Sequence, residues 1–290
     1  MLWIILALIA ATLTAAAALV QKKTLITEHA MEFSAVLALF NLILSIPFFI
    51  FIDYSKLEIV PIIIIFFITI PAAIAFLLIS KSVRHMDVSS VSPLLVISPG
   101  ITALLAFFFL GEKLTLFQST GILLLLVGSY VVQLRHDHSF FEPLQNIIRS
   151  RYIHFIAIAL LLYGTTSVFD RFILTNYSIS PMTYIAFAHL FLALDFLFLM
   201  SIFHNGVFDI AKGIKKAGGW ILVMSILTIG YRYAQVAAVK VAYVGLVVAI
   251  KRMSSFFATL IGGKIFHEKN LLRRSIACLI MIAGVLFIVL

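Results

Sequence analysis

The chain alternates long apolar runs with short charged or turn-rich segments along almost its whole length. The runs are unbroken and do not alternate every second residue, which indicates helices and not the strands of a membrane barrel. A helix needs about 20 apolar residues to cross the hydrocarbon core of a bilayer. The ten candidate runs are residues 2–21, 31–52, 59–80, 88–110, 115–134, 152–175, 181–203, 219–240, 243–265 and 271–290. The pattern therefore predicts an all-α membrane protein with ten transmembrane helices.

The segments between these runs leave no room for a soluble domain. The two longest are residues 135–151 and 204–219, and we predict that each lies at the membrane interface as an amphipathic stretch. The first apolar run is predicted to be a span and not a signal peptide, because no positive charge precedes it and Lys22 and Lys23 follow it.

Composition agrees with an integral membrane protein, since 63% of the residues are hydrophobic, 11% are charged and the mean hydropathy is +1.17. The single cysteine, Cys278, lies in the last run, which excludes an intrachain disulfide and a multi-thiolate metal site. We expect no metal and no cofactor. Anionic lipid accounts for the net charge of +9 without a nucleic-acid partner. The expected partners are the lipid bilayer and a small-molecule substrate, and a homodimer is compatible with the sequence.

Lysine and arginine residues near the run ends fall mostly on one side of the membrane. We call the side of the connections after odd-numbered runs the odd-loop face and the opposite side the even-loop face. The even-loop face has Lys56, Lys113, Arg171 and Lys240. The odd-loop face has Lys22, Lys23, Lys81, Arg84, Arg135, Arg149, Arg151, Lys212, Lys215, Lys216, Lys264, Lys269, Arg273 and Arg274. This bias predicts a cytoplasmic odd-loop face and two external termini, in the plasma or inner membrane of the cell.

The second half of the chain repeats landmarks of the first half. The segment FFFLGEKLTLFQSTGILLLLVG at residues 107–128 aligns with GGKIFHEKNLLRRSIACLIMIAG at 262–284, with Glu112 over Glu268. VQKKTLI near the end of run one aligns with FDRFILT near the end of run six, and Arg84 aligns with Lys240. Five spans per copy is an odd number, so the copies must be inserted in opposite senses. We predict two inverted five-helix repeats, at 1–134 and 152–290, joined by a loop at 135–151.

A known family resembles this layout. Residues 79–132 are similar to the second part of an EamA domain of the drug/metabolite transporter superfamily, with a serine-rich entry containing Pro93, a Gly-Glu-Lys turn and a glycine-bearing last span. The resemblance implies a ten-helix transporter of small metabolites, built from two inverted EamA repeats. Many relatives are thought to keep both termini in the cytoplasm, opposite to the orientation that the charge bias predicts.

Three cations and a histidine lie at one depth inside the apolar runs. Lys251, Arg252, Arg232 and His189 are about 12 to 14 Å from the even-loop end of their runs, at a rise of about 1.5 Å per residue. A charge at that depth costs about 2.5 to 3.5 kcal/mol when it faces lipid. These side chains must therefore face a wet or polar interior.

The residue types suit an anionic ligand. Arginine offers a planar fork and lysine a mobile point charge, both suited to phosphate or carboxylate oxygens, and Tyr231 can add a ring and a hydroxyl beside Arg232. The first half offers neutral polar groups at similar depths, namely Asn41, Ser92, Ser98 and Thr102. The adjacent Lys251 and Arg252 also resemble a pair in triose-phosphate/phosphate translocators of plastids. That resemblance implies that the two side chains contact phosphate.

Internal pairing is the competing interpretation of these charges. Asp195 can neutralise Arg232, or Asp170 can neutralise Lys251, and either carboxylate can serve in ion coupling. His189 is more often a hydrogen-bonded interior histidine than a proton relay.

We predict a secondary transporter of a small anionic or zwitterionic metabolite that works by alternating access. A neutral amino-acid or drug exporter and a lipid-linked sugar flippase subunit stay open as alternatives. An enzyme is not predicted, because the chain has no HExxH motif and no pair of catalytic aspartates in glycine-rich spans.

Overall fold

The structure is a computed structural model, and it describes residues 2–86, 94–133, 151–203, 207–254, 257 and 271–289. Every regular element in these ranges is helical, which confirms the all-α prediction. A short 3₁₀ turn at Tyr54–Lys56 separates the second and third helices. The α-helices are α1 Leu2–Leu25, α2 Ala30–Ile50, α3 Ile59–His85, α4 Ser98–Leu110, α5 Leu116–Gln133, α6 Arg151–Asn176, α7 Pro181–Phe203, α8 Val207–Val241, α9 Val244–Lys251 and α10 Leu271–Val289.

Local sequence signals set several helix ends. The imidazole of His29 accepts a hydrogen bond from the Met31 amide and caps α2. Gly111 ends α4 in the left-handed conformation, with φ of 66°, which glycine adopts without steric cost. Thr115 and Gln118 then form a reciprocal capping box, in which each side chain accepts a hydrogen bond from the other residue's amide. Only five residues separate the end of α4 from the start of α5.

Within the part of the chain that the structure describes, six helices are long and apolar enough to cross a membrane. They are α1, α2, α3, α6, α7 and the Gly213–Val241 part of α8. α4 is a shorter apolar helix, as are Leu116–Val131 of α5 and Leu279–Ile288 of α10. The chain is thus a multi-pass membrane protein, and membrane crossing by the other four helices stays a prediction.

The structure corrects two predicted boundaries. The stretch 204–219, expected as an interfacial segment, is helical from Val207 onward and continues directly into the span of α8. Packing explains this, because Ile210 and Ala217 are buried and a Cβ on Gly213 would lie 3.2 Å from Val36 of α2. The helix expected over 243–265 is interrupted after Lys251, where Arg252 and Met253 form a turn, and Ser254 and Phe257 are helical again. Residues 255–256 and 258–265 of this run lie outside the described residues.

Helices from the two halves of the chain pack on each other. α5 lies along α10, where a Cβ on Gly121 would be 2.7 Å from the Gly284 carbonyl oxygen and one on Gly284 would be 2.9 Å from that of Gly121. Two glycines therefore allow close backbone approach. The other main cross-half pairs are α1 with α8, α3 with α6, α2 with α8, α3 with α7, α1 with α9, α4 with α6, α2 with α7 and α4 with α9.

Candidate functional site

A cavity of about 310 Å³ lies among α1, α2, α3, α4, α6, α7, α8 and α9. Seven of the eight predicted site residues line it, namely Lys251, Arg252, Arg232, Tyr231, His189, Asn41 and Asp170. Asp195 is not among the described residues that line the cavity. The three cations that the sequence placed at one depth therefore share one chamber in the interior of the protein.

Lys251 and Arg252 lie where α9 stops. The Lys251 ammonium donates a hydrogen bond to Gln235 Oε1 at 2.7 Å and lies 4.6 Å from the centre of the Tyr231 ring. Arg252 donates from Nε to the Ser98 hydroxyl at 3.0 Å, and its Nη2 contacts the same oxygen. Gln235 and Ser98 are neutral groups, and each accepts a hydrogen bond from one of the two cations.

The contact between Arg252 and Ser98 joins two helix breaks. Arg252 is in the turn that ends α9, and Ser98 begins α4 directly after a turn at residues 96–97. Such interruptions free backbone groups and are tolerated inside a membrane only where protein or a wet cavity surrounds them. Discontinuous helices of this kind border the central sites of many secondary transporters.

Arg232 shares the cavity with a buried carboxylate. Arg232 Nη2 lies 3.8 Å from Asp170 Oδ2, and the Tyr184 hydroxyl donates a hydrogen bond to Asp170 Oδ1. Asp170 is only 5% exposed. The sequence left two pairings open, Asp195 with Arg232 and Asp170 with Lys251. The structure shows neither of these ion pairs and instead pairs Asp170 with Arg232.

The first half of the chain contributes neutral hydrogen bonds to the lining. Ser225 of α8 donates to Asn41 Oδ1 at 2.6 Å, and the Ser45 hydroxyl lies 2.7 Å from His189 Nδ1. Each bond joins α2 to a helix of the second half. His189 is thus a hydrogen-bonded interior histidine at the edge of the cavity.

Sequence reasoning missed two residues of this cluster. Gln235 is three residues after Arg232, so helical spacing alone places both side chains on one face of α8 and gave an available signal. Tyr184 had no such signal, since its partner Asp170 lies on another helix. Ser98 was expected and lies at the site, whereas Ser92 lies outside the described residues.

A second polar cluster lies between the cavity and the even-loop face. Glu112 accepts hydrogen bonds from the Val244 amide at 3.2 and 3.3 Å, and its Oε1 lies 3.3 Å from Arg171 Nε. Arg171 also donates to the Val239 carbonyl. Burial raises the pKa of Glu112 above its ordinary value, and the Val244 amide and Arg171 offset this only in part. We call Glu112, Arg171, Val239 and Val244 the even-loop latch.

Comparisons with known proteins give a family match for the first part of the chain and a shared fold for nearly all of it. Residues 1–134 match the model of the EamA-like transporter family, which confirms the EamA resemblance over that part of the chain. A solved crystal structure aligns with 98% of this chain and 95% of its own, with a TM-score of 0.73 at 14% identity. At that identity the likeness shows a shared fold. None of the curated proteins matches this chain.

Proposed function

We propose that this protein is a secondary transporter of a small anionic or zwitterionic metabolite, and that the ligand binds at Lys251, Arg252 and Arg232. The observation that carries the proposal is the convergence of these three cations on one cavity inside an apolar helical protein. Placing each of them in lipid would cost about 2.5 to 3.5 kcal/mol, so a purely structural protein would gain little from keeping them there.

Residue chemistry supports an anion as the ligand. The Arg252 guanidinium donates to the Ser98 hydroxyl group, and the Lys251 ammonium donates to an amide oxygen and lies over a ring face. Neutral partners orient a cation and leave its field available to a ligand. The polar groups of α2 and α4 at the other wall suit the uncharged part of a metabolite.

The two halves of the chain serve, in this proposal, as ten spans in two inverted repeats. The pairs of helices in contact support this, because adding or subtracting five in both helix numbers converts α1–α8 into α6–α3, α2–α8 into α7–α3 and α1–α9 into α6–α4. The contact of Lys22 with the Val83 carbonyl also matches that of Arg171 with the Val239 carbonyl in the aligned register. Two related halves can exchange conformations and open the cavity to either face, which is the basis of alternating access.

The proposal is tested by two substitutions and a ligand screen. Purified protein is first screened by thermal shift against phosphorylated sugars, nucleotides, carboxylates and amino acids, and the best ligand is used for uptake into proteoliposomes. We expect Lys251→Gln and Arg252→Gln to fold and insert but to lose uptake by at least about tenfold, since each removes a charge that contacts the ligand.

The matched control is Lys56→Gln, which removes an exposed lysine paired with Asp53 on the even-loop face. Its uptake should equal that of the wild type. Unchanged uptake in both cavity variants would remove these side chains from the site and contradict the proposal.

A further inference from the structure

Asp170 is the only carboxylate among the described residues that line the cavity. It lies on α6 and contacts Arg232 of α8 and Tyr184 of α7, and it is also within electrostatic range of Lys251. A carboxylate held in this way by helices of the second half has a fixed position relative to the cations. It therefore acts on a ligand that binds the same cations.

The formal charges of the lining indicate what such a ligand needs. Lys251, Arg252 and Arg232 contribute three positive charges and Asp170 one negative charge, so the described lining carries a formal charge of +2. A ligand whose charge is opposite to that of the lining is electrostatically complementary to it, and such complementarity determines which ligands are preferred.

We propose that Asp170 is an internal counter-ion that sets the preference of the cavity for ligands with two negative charges. This rests on the proposed anion-binding function. Phosphate monoesters and dicarboxylates share this charge, and a cavity of about 310 Å³ matches small members of either class.

The experiment measures the affinity of purified protein at pH 8 for propionate, succinate, glycerol phosphate and tricarballylate, a series that covers one, two and three negative charges. For the wild type we expect tighter binding of a dianion than of the monoanion or the trianion. Comparing the affinity for succinate with that for glycerol phosphate then distinguishes dicarboxylates from phosphate monoesters. In Asp170→Asn, which keeps the side-chain shape, the preference for the trianion over the dianion should rise by about tenfold.

Asp53→Asn is the matched control, because Asp53 is a carboxylate that lies outside the described lining and pairs with the exposed Lys56. It should keep the wild-type order of affinities. An unchanged order in Asp170→Asn would overturn the counter-ion role while leaving anion binding intact. If Asp170→Asn does not fold, the wild type alone provides the test. The counter-ion role is then overturned if the wild type binds propionate as tightly as it binds both dianions. Absence of binding to any anion in a wider screen would instead contradict the proposed function itself.

A second inference rests on different contacts, those of the even-loop latch. At the even-loop end the cavity lining stops at Asp170, Tyr184, Gln235 and Val248, and the latch residues lie beyond them toward the ends of the same or adjoining helices. The latch joins the end of α4 to α6, α8 and the first residue of α9. Arg171 directly follows Asp170 in α6, so the latch and the ligand site are adjacent along one helix.

The odd-loop face has a contact of the same kind. Lys22, at the position that aligns with Arg171, donates to the Val83 carbonyl at 2.8 Å and lies 3.4 Å from that of Met86. At that end the cavity lining reaches Gln21, which directly precedes Lys22. In the same way, the lining residue Asp170 directly precedes Arg171. We infer that the pairing of Glu112 with Arg171 closes the even-loop mouth of the cavity and opens when a ligand passes that face.

The test measures access of a membrane-impermeant thiol reagent from the even-loop face. In a Cys278→Ser background, Thr166→Cys places a thiol on the cavity lining and Ala159→Cys places one on the same helix in the packed interior. Adding Glu112→Gln, which keeps the side-chain shape and removes the charge, should raise the rate of labelling at position 166 by about tenfold, because the closed state loses its ion pair.

Asp53→Asn is the matched control for loss of a carboxylate at the even-loop face, since Asp53 pairs with Lys56 outside the latch. It should leave labelling at position 166 unchanged. The inference is overturned if Glu112→Gln has no effect at position 166, or if it raises labelling equally at position 159, which would indicate general loosening. Arg171→Gln provides a second variant with the same expectation should Glu112→Gln fail to fold.

Discussion

The two halves of the chain line the same cavity with different chemistry. In the aligned register, Arg232 of the second half corresponds to Phe76 of the first, and Lys251 corresponds to Leu95. All four side chains line the cavity. Asp170 likewise corresponds to Gln21, and both line it. The second half thus supplies every described formal charge of the lining, while the first supplies apolar and neutral polar groups.

Contacts that hold the helices together differ far less between the halves. Lys22 and Arg171 each donate to the carbonyl of an aligned valine, and Gly121 and Gly284 approach each other's backbone reciprocally. Backbone packing can be alike in two halves of a chain, because it depends on shape. The chemistry of the lining is not constrained in this way, and in the proposed function the charged wall is the one that binds the charged end of a ligand.

The largest expected effect comes from breaking the charged wall. Arg232→Gln leaves Asp170 buried without its ion-pair partner, and we expect a loss of about 3 to 5 kcal/mol in the free energy of unfolding. It should also abolish stabilisation by anions. The aligned change in the other wall, Phe76→Leu, should cost only ~1 kcal/mol and keep anion binding. Unfolding in detergent, with and without ligand, measures both. Equal losses in the two variants would contradict the division of roles.

An intermediate effect is expected at the reciprocal contact between Gly121 and Gly284. Gly121→Ala and Gly284→Ala each place a methyl group within 3 Å of the opposing backbone. Each should lower the free energy of unfolding by about 1 to 3 kcal/mol, and the two losses should be similar. Gly219→Ala is the control, because no atom lies within 4 Å of its Cβ position and alanine is favoured in a helix. A loss in only one of the two interface variants would show that this contact is not reciprocal.

The smallest effect concerns the neutral wall. Asn41→Ala removes the acceptor of the Ser225 hydroxyl, a hydrogen bond between α2 and α8. Interhelical hydrogen bonds of this kind average about 0.6 kcal/mol in membrane proteins. A double-mutant cycle with Ser225→Ala should therefore give a coupling energy near that value, measured by unfolding in detergent. Strict additivity of the two variants would contradict a stabilising contact.

Much of the fold was predictable because lipid restricts the options. Unbroken apolar runs in a membrane can satisfy their backbone groups only as helices, and each of the ten predicted runs overlaps one helix of the structure. The early start of α8 and the break after Lys251 were not predictable, since they depend on packing against α2 and on the polar surroundings of Arg252. The apolar runs in the sequence indicate neither the start of α8 nor the break after Lys251.

For the site, the sequence by itself determined that Lys251, Arg252 and Arg232 turn away from lipid, because exposing a charge to hydrocarbon at that depth is costly whatever the rest of the fold. Only the tertiary structure decided their partners. Adjacent helical residues point about 100° apart, so a small rotation of a helix changes which side chains meet. The tertiary structure placed Asp170 beside Arg232 and left Asp195 outside the described lining. The spacing of residues along the chain contains no information about the rotation of each helix, so it could not predict these partners.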